Sequence, residues 1–182
     1  YITAQRELRD EDKESYQTVY AEHAGSAAAP TAGLHFTERL LDNIQAKGIR
    51  ICNVLLHVGS GTFSPIKTNN IMDHKIHSEW CHLDPQAADL LNETRAAGGN
   101  IIAVGTTSMR ILESAVDGTG KFSEYKGETD IYIKPGYKFR AADAMITNFH
   151  LPKSSLFVLV CAYYGINAVS YTHLTLPTIV GV

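Results

Sequence analysis

Four short stretches of this chain place proton-carrying or oxygen-binding side chains beside glycines and other small residues. Gly105-Thr106-Thr107-Ser108-Met109-Arg110 sets three hydroxyls and a guanidinium where an apolar run gives way to a predicted helix. Unpaired N–H groups and the positive end of the dipole at such a helix start suit phosphate, carboxylate or ribose oxygens. The plainer reading is a Thr106 or Thr107 N-cap with Arg110 and Glu113 as an i,i+3 ion pair. Thr147-Asn148-Phe149-His150-Leu151-Pro152-Lys153-Ser154 gathers an amide, an imidazole, an ammonium and hydroxyls around one turn. His150 can give or take a proton near neutral pH. Its plainer reading is an N-capping Ser154 and a histidine tied to backbone.

Two further stretches are less specific. In Leu56-His57-Val58-Gly59-Ser60-Gly61-Thr62-Phe63, glycines one residue apart let backbone N–H groups turn toward an oxygen-rich ligand. Phe63 and Ser64 break the pattern of a dinucleotide fingerprint, and a simple tight turn would explain the glycines. Ala29-Pro30-Thr31-Ala32-Gly33-Leu34-His35-Phe36 would admit a planar ring closely, with His35 near the entrance of the next helix; a close-packed loop is its plainer reading.

Other chemistries find less support. His74, His77, Glu79, Cys81 and His82 are dense, but HxxH without a second ligand pair is no recognised metal spacing, so no metal site is expected. GxSxG, Walker and kinase signatures are absent from the sequence. The three cysteines, Cys52, Cys81 and Cys161, share no CxxC spacing and read as free thiols of a cytoplasmic protein. A net charge of −3 argues against a dedicated basic nucleic-acid binder. Between Gly118 and Lys153 six basic residues outnumber four acids, an excess that favours phosphates locally or simply solvates a face.

The elements that must position these residues follow from periodicity. Phe36, Leu40, Leu41 and Ile44 share one helical face ending near Gly48, and Ile49–Val58 reads as a strand buried on both faces. Asp84-Pro85 opens a helix closed by Gly98-Gly99. The strand 101–104, the helix after Gly105, a strand over 129–133, a Pro135-Gly136 turn, a strand over 144–149 and an apolar helix over 154–164 complete the series. Such alternation predicts a soluble α/β domain with a mainly parallel sheet covered by helices on both faces, a three-layer sandwich. In such sheets ligands bind beyond the C-terminal ends of the strands, where the polar motifs stand. No stretch approaches the ~20 apolar residues of a membrane-spanning helix.

Taken together with Tyr16-Gln17-Thr18-Val19-Tyr20-Ala21, the four motifs resemble, in order, those of the S-adenosylmethionine:tRNA ribosyltransferase-isomerases, from Tyr1 to about Ala168. The resemblance implies a transferase that consumes S-adenosylmethionine as co-substrate, with no cofactor, and gives up its ribosyl part. The acceptor is the aminomethyl-deazaguanine of a tRNA anticodon, and adenine and methionine leave as epoxyqueuosine forms. It also implies a cytoplasmic protein that binds tRNA but no membrane, and that is expected to be a monomer. Residues 1–168 would be a catalytic-core fragment, without the family's β-barrel insertion. Residues 169–182 do not resemble the family's continuation and read as a foreign tail.

Residue chemistry, not the resemblance, suggests the roles. Acid or base work falls to His35, His57 or His150, and charge stabilisation to Arg110 and Lys153. Thr31, Gly33, Gly59, Gly61, Thr62, Thr106, Thr107, Ser108 and Asn148 would bind substrate. Two other readings compete. One is a truncated fragment that binds tRNA or a nucleoside without turnover. The other is a methyltransferase, against which stands the lack of a glycine fingerprint after a first strand.

Overall fold

The computed structural model of the 182-residue chain describes residues 10–59 and 65–175. Helix α1 (Asp10–Ser15) and a 3-10 turn (Thr31–His35) precede α2 (Glu38–Ala46) and β1 (Leu55–Leu56). Then come β2 (Glu79–Leu83), α3 (Pro85–Ala96), β3 (Ile102–Val104), α4 (Thr106–Ala115), β4 (Tyr125–Thr129), β5 (Ala144–Ile146), α5 (Ser155–Tyr164) and α6 (Ile166–Thr175). Local chemistry sets three of the six α-helix starts among the described residues. The side chains of Thr37, Asp84 and Ser154 accept from the backbone N–H groups of Leu40, Ala87 and Phe157. Each such cap contributes about 1 kcal/mol.

The sheets differ from the expected mainly parallel one. Among the described residues β1, β2 and β4 form an antiparallel sheet with β2 in the middle, and only β3 and β5 pair in parallel. The physical reason is β2, a strand that periodicity did not single out. Glu79, Cys81 and Leu83 point inward while Trp80 and His82 lie on the half-buried outer face. That alternation belongs to an antiparallel sheet with one wetter face. Pairing Glu79 with Thr129 and Leu83 with Tyr125 draws residues 125–129 into the ladder in place of 129–133. Of the run 49–58 only Leu55 and Leu56 pair, against His82 and Cys81. β5 likewise stops at Ile146, short of Phe149.

Helix α4 lies between the two sheets, touching β1, β2 and β4 as well as β3, and α5 besides. It is therefore buried almost all round. Met109, Ile111 and Leu112 join the core, each contributing about 1.5–3 kcal/mol by leaving water. Arg110 and Glu113 are buried beside them but do not pair as i,i+3 neighbours. Arg110 binds Glu79 on β2. Glu113 accepts from the Tyr137 hydroxyl and from the N–H groups of Arg140 and Ala141.

Helix α6 crosses the boundary expected at residue 168 and buries Val169, while residues 176–182 lie outside the described residues. No single helix among the described residues is long and apolar enough to cross a membrane, and α5 and α6 meet at a 118° bend. Among the described residues no group of three metal-ligating side chains is close enough to hold an ion.

Candidate active site

Three of the four motifs meet at one cavity of about 150 Å³. The first contributes Pro30, Thr31 and Ala32; the helix start contributes Gly105, Thr106 and Thr107; the last contributes Thr147, Asn148, His150 and Ser154. Val58 and Pro65 also line it, so the segment joining them begins and ends at the cavity wall. Gly61 and Thr62 lie outside the described residues.

Backbone geometry explains why these loops converge. The N–H of Gly105 donates to the carbonyl of Ile146 at 2.8 Å, fastening the end of β3 to the end of β5. Gly105 sits at φ 96° and ψ 147°, a conformation that only glycine adopts at small cost, and α4 starts there without a side-chain cap. Its first N–H groups are thus left to the cavity. Gly33 is needed for a different reason, since a Cβ there would overlap the Tyr20 hydroxyl. The last motif is tied to the residue after Pro65 through Lys153, which has φ 58° and whose carbonyl accepts from the N–H of Ile66 at 2.7 Å. Val58 is held from both sides. Its N–H donates to the Ser26 hydroxyl at 3.1 Å, and its carbonyl accepts from Ala27 at 2.9 Å.

His150 faces the cavity with its Nε2 3.5 Å from the Thr147 hydroxyl and its Nδ1 buried without a partner. Burial first, and the neighbouring His173 ring second, push its pKa down to about 4. The ring is therefore neutral at neutral pH, able to accept a proton or a hydrogen bond but not standing ready as an acid.

The other expected residues divide. His35 is exposed and reaches the site indirectly, its Nε2 3.1 Å from Oδ1 of Asn148. His57 does not line the cavity; its ring stacks obliquely 5.4 Å from Trp80. Ser108 turns its hydroxyl back to the carbonyl of Val104 at 2.8 Å, as a helical serine often does. Lys153 is exposed, and its backbone rather than its ammonium fastens the loop. Arg110, 1% exposed, is not at the cavity wall. Gly59 directly follows Val58, and its N–H donates to Oε1 of Glu79 at 3.1 Å.

Sequence reasoning missed the apolar part of the site. Phe149 and Leu151 line the cavity yet remain 62% and 66% exposed, placing them at its rim. Glu79 was weighed only among metal ligands. A signal was available: a period-two reading of 79–83 puts that acid on the same face as Cys81 and Leu83.

A family model described as a queuosine biosynthesis protein matches residues 1–174. The chain is 54% identical over 175 residues to the S-adenosylmethionine:tRNA ribosyltransferase-isomerase of Phenylobacterium zucineum, covering 95% of this chain and 49% of that one. It is 53% identical to the protein of that name from Cupriavidus metallidurans, over the same shares of 95% and 49%. Among solved structures, the S-adenosylmethionine tRNA ribosyltransferase of Thermotoga maritima superposes with a TM-score of 0.61 at 36% identity. That match covers 79% of this chain and 44% of the other. The chain belongs to the queuosine biosynthesis protein family, has a mixed α/β fold, and spans about half the length of the curated relatives it matches.

Proposed function

We propose that this family member transfers and isomerises the ribosyl part of S-adenosylmethionine onto the aminomethyl-deazaguanine of a tRNA anticodon. The observation that carries this reading is the convergence of three motifs, with their hydroxyls, amide and imidazole, on one cavity. Departure of adenine and rearrangement of the ribose require a proton acceptor beside the sulfonium and groups that hold the sugar oxygens. His150, neutral and lining the cavity, is the acceptor on this reading. Thr31, Thr106, Thr107 and Asn148, with the uncapped start of α4, hold ribose hydroxyls or the methionine carboxylate.

The second substrate then approaches over the rim, where the exposed Phe149 offers an aromatic face to an unstacked base. S-Adenosylmethionine is consumed and no cofactor takes part. The pair β3–β5 belongs, on this reading, to a larger three-layer parallel sandwich in a cytoplasmic, monomeric protein, with residues 1–168 as the core fragment. The family's β-barrel insertion lies outside this stretch.

Incubating the chain with S-adenosylmethionine and precursor-modified tRNA should release free adenine, read by chromatography. His150→Gln should abolish that release while tRNA binding persists, and unchanged turnover would refute the role of His150. Because the chain spans half the length of its relatives, a binding fragment without turnover is the second reading. It predicts tRNA binding with no adenine from any variant.

A further inference from the structure

The pair Glu79–Arg110 is an unusual object for a core this small. Both side chains are buried, at 2% and 1% exposure, and Nη1 of Arg110 donates to Oε2 of Glu79. Nε and Nη2 of Arg110 are buried with no hydrogen-bond partner. Burying two charges and leaving donors unpaired costs more than an apolar pair of similar volume would. The carboxylate meanwhile has a second task. Its Oε1 accepts the N–H of Gly59, the residue that follows Val58 at the cavity wall and opens the segment leading to Pro65 on the same wall.

We infer that Glu79 and Arg110 are positioning residues: Arg110 fixes the Glu79 carboxylate, and the carboxylate holds the backbone at Gly59, next to Val58 of the cavity wall. This rests on the proposed reading of that cavity. Arg110 thereby acts through Glu79 and not by touching substrate. The chain of contacts runs from a helix packed against both sheets, through the central strand β2, to the N–H of Gly59. A charged oxygen aimed at a backbone N–H fixes that position more sharply than packing does.

The test separates positioning from bulk stability. Glu79→Leu combined with Arg110→Met replaces the ion pair by apolar side chains and should melt within a few degrees of wild type. In it the Gly59 amide should exchange with solvent about tenfold faster by NMR. Calorimetry should show affinity for S-adenosylmethionine falling about tenfold or more. Arg110→Lys, which keeps a charge beside Glu79, should fall between the two. If the double variant fails to fold, Glu79→Gln against Arg110→Lys provides the same two readouts. Unchanged affinity in a folded variant, with or without faster Gly59 exchange, overturns the inference. Failure of the wild-type chain to bind S-adenosylmethionine at all overturns the proposed function instead, and Gly59 exchange then decides the positioning role alone.

Discussion

Two buried carboxylates, Glu113 on helix α4 and Glu79 on the strand β2 packed against it, are satisfied in opposite ways. Glu113 meets three neutral donors, the Tyr137 hydroxyl and the N–H groups of Arg140 and Ala141, and so closes the loop over 137–141. Glu79 meets a guanidinium whose Nε and Nη2 have no hydrogen-bond partner, and it also accepts the N–H of Gly59 next to the cavity. The first arrangement is complete and lies away from the cavity wall. The second is incomplete and leads to it. The difference teaches that buried charge serves two ends in one small core: neutral donors around an acid fasten a loop, whereas a guanidinium with spare donors fixes an acid that holds backbone beside the cavity.

The largest effect that can break this comparison is removal of Glu113. Glu113→Ala leaves two N–H groups and a hydroxyl unsatisfied in the interior and should cost about 3–5 kcal/mol, seen as a lower urea midpoint. Its effect on ligand affinity should vanish wherever the variant is still folded. Breaking the other pair on one side only, by Arg110→Met, should cost a similar ~3–5 kcal/mol, because the Glu79 charge is then stranded. Adding Glu79→Leu should return most of that loss. Glu113 has no such second-site rescue, since its partners are mainly backbone. A rescue by any single apolar change opposite Glu113 would erase the distinction.

Gly105 sharpens the comparison at the end of α4 that faces the cavity. With φ at 96° and a would-be Cβ 3.3 Å from the Thr107 hydroxyl, Gly105→Ala should cost about 2 kcal/mol in thermal unfolding. It should also displace Thr106 and Thr107, so ligand affinity should fall along with stability. Glu113 variants would lower stability alone.

What was legible in the sequence was mostly local. Asp84 and Ser154 cap helices as their side chains suggest, and the order strand, glycine, hydroxyl, helix around Gly105 led to a real cavity. For β3 and β5, which are parallel, the cavity lies beyond the strand ends, where the rule for ligands in parallel sheets directs attention. That rule failed as a guide to the other sheet, whose strand β2 lay hidden among residues that resemble metal ligands. His57 falls outside the cavity wall for the same reason: with β2 in place, its N–H donates to the carbonyl of Trp80 and its ring stays on that side. Arg110 looked like a ligand-binding residue because it stands one turn into a helix beside the cavity. Its true partner is 31 residues away in sequence, and no periodicity reveals a pairing that only β2 creates.

The smallest expected effect concerns His150, which is half-buried where the two acids are fully buried, and whose charge is absent. Its folded pKa of about 4 lies below the ordinary 6.5, so between those values the unfolded chain binds more protons than the folded one. The contribution of the neutral ring to stability is thus complete above about pH 6.5 and is lost as pH falls toward 4. A shift of that size corresponds to about 3 kcal/mol, and the ring's partial contact with solvent discounts it to about 1 kcal/mol. His150→Gln does not titrate, so the stability difference between wild type and variant should shrink by that amount from pH 7 to pH 4. The imidazole resonance of His150 should hold its neutral chemical shift down to about pH 5. A midpoint near 6.5 would mean the ring is solvated, and a cavity open enough to solvate it would have no low-dielectric wall for Glu79 and Gly59 to shape.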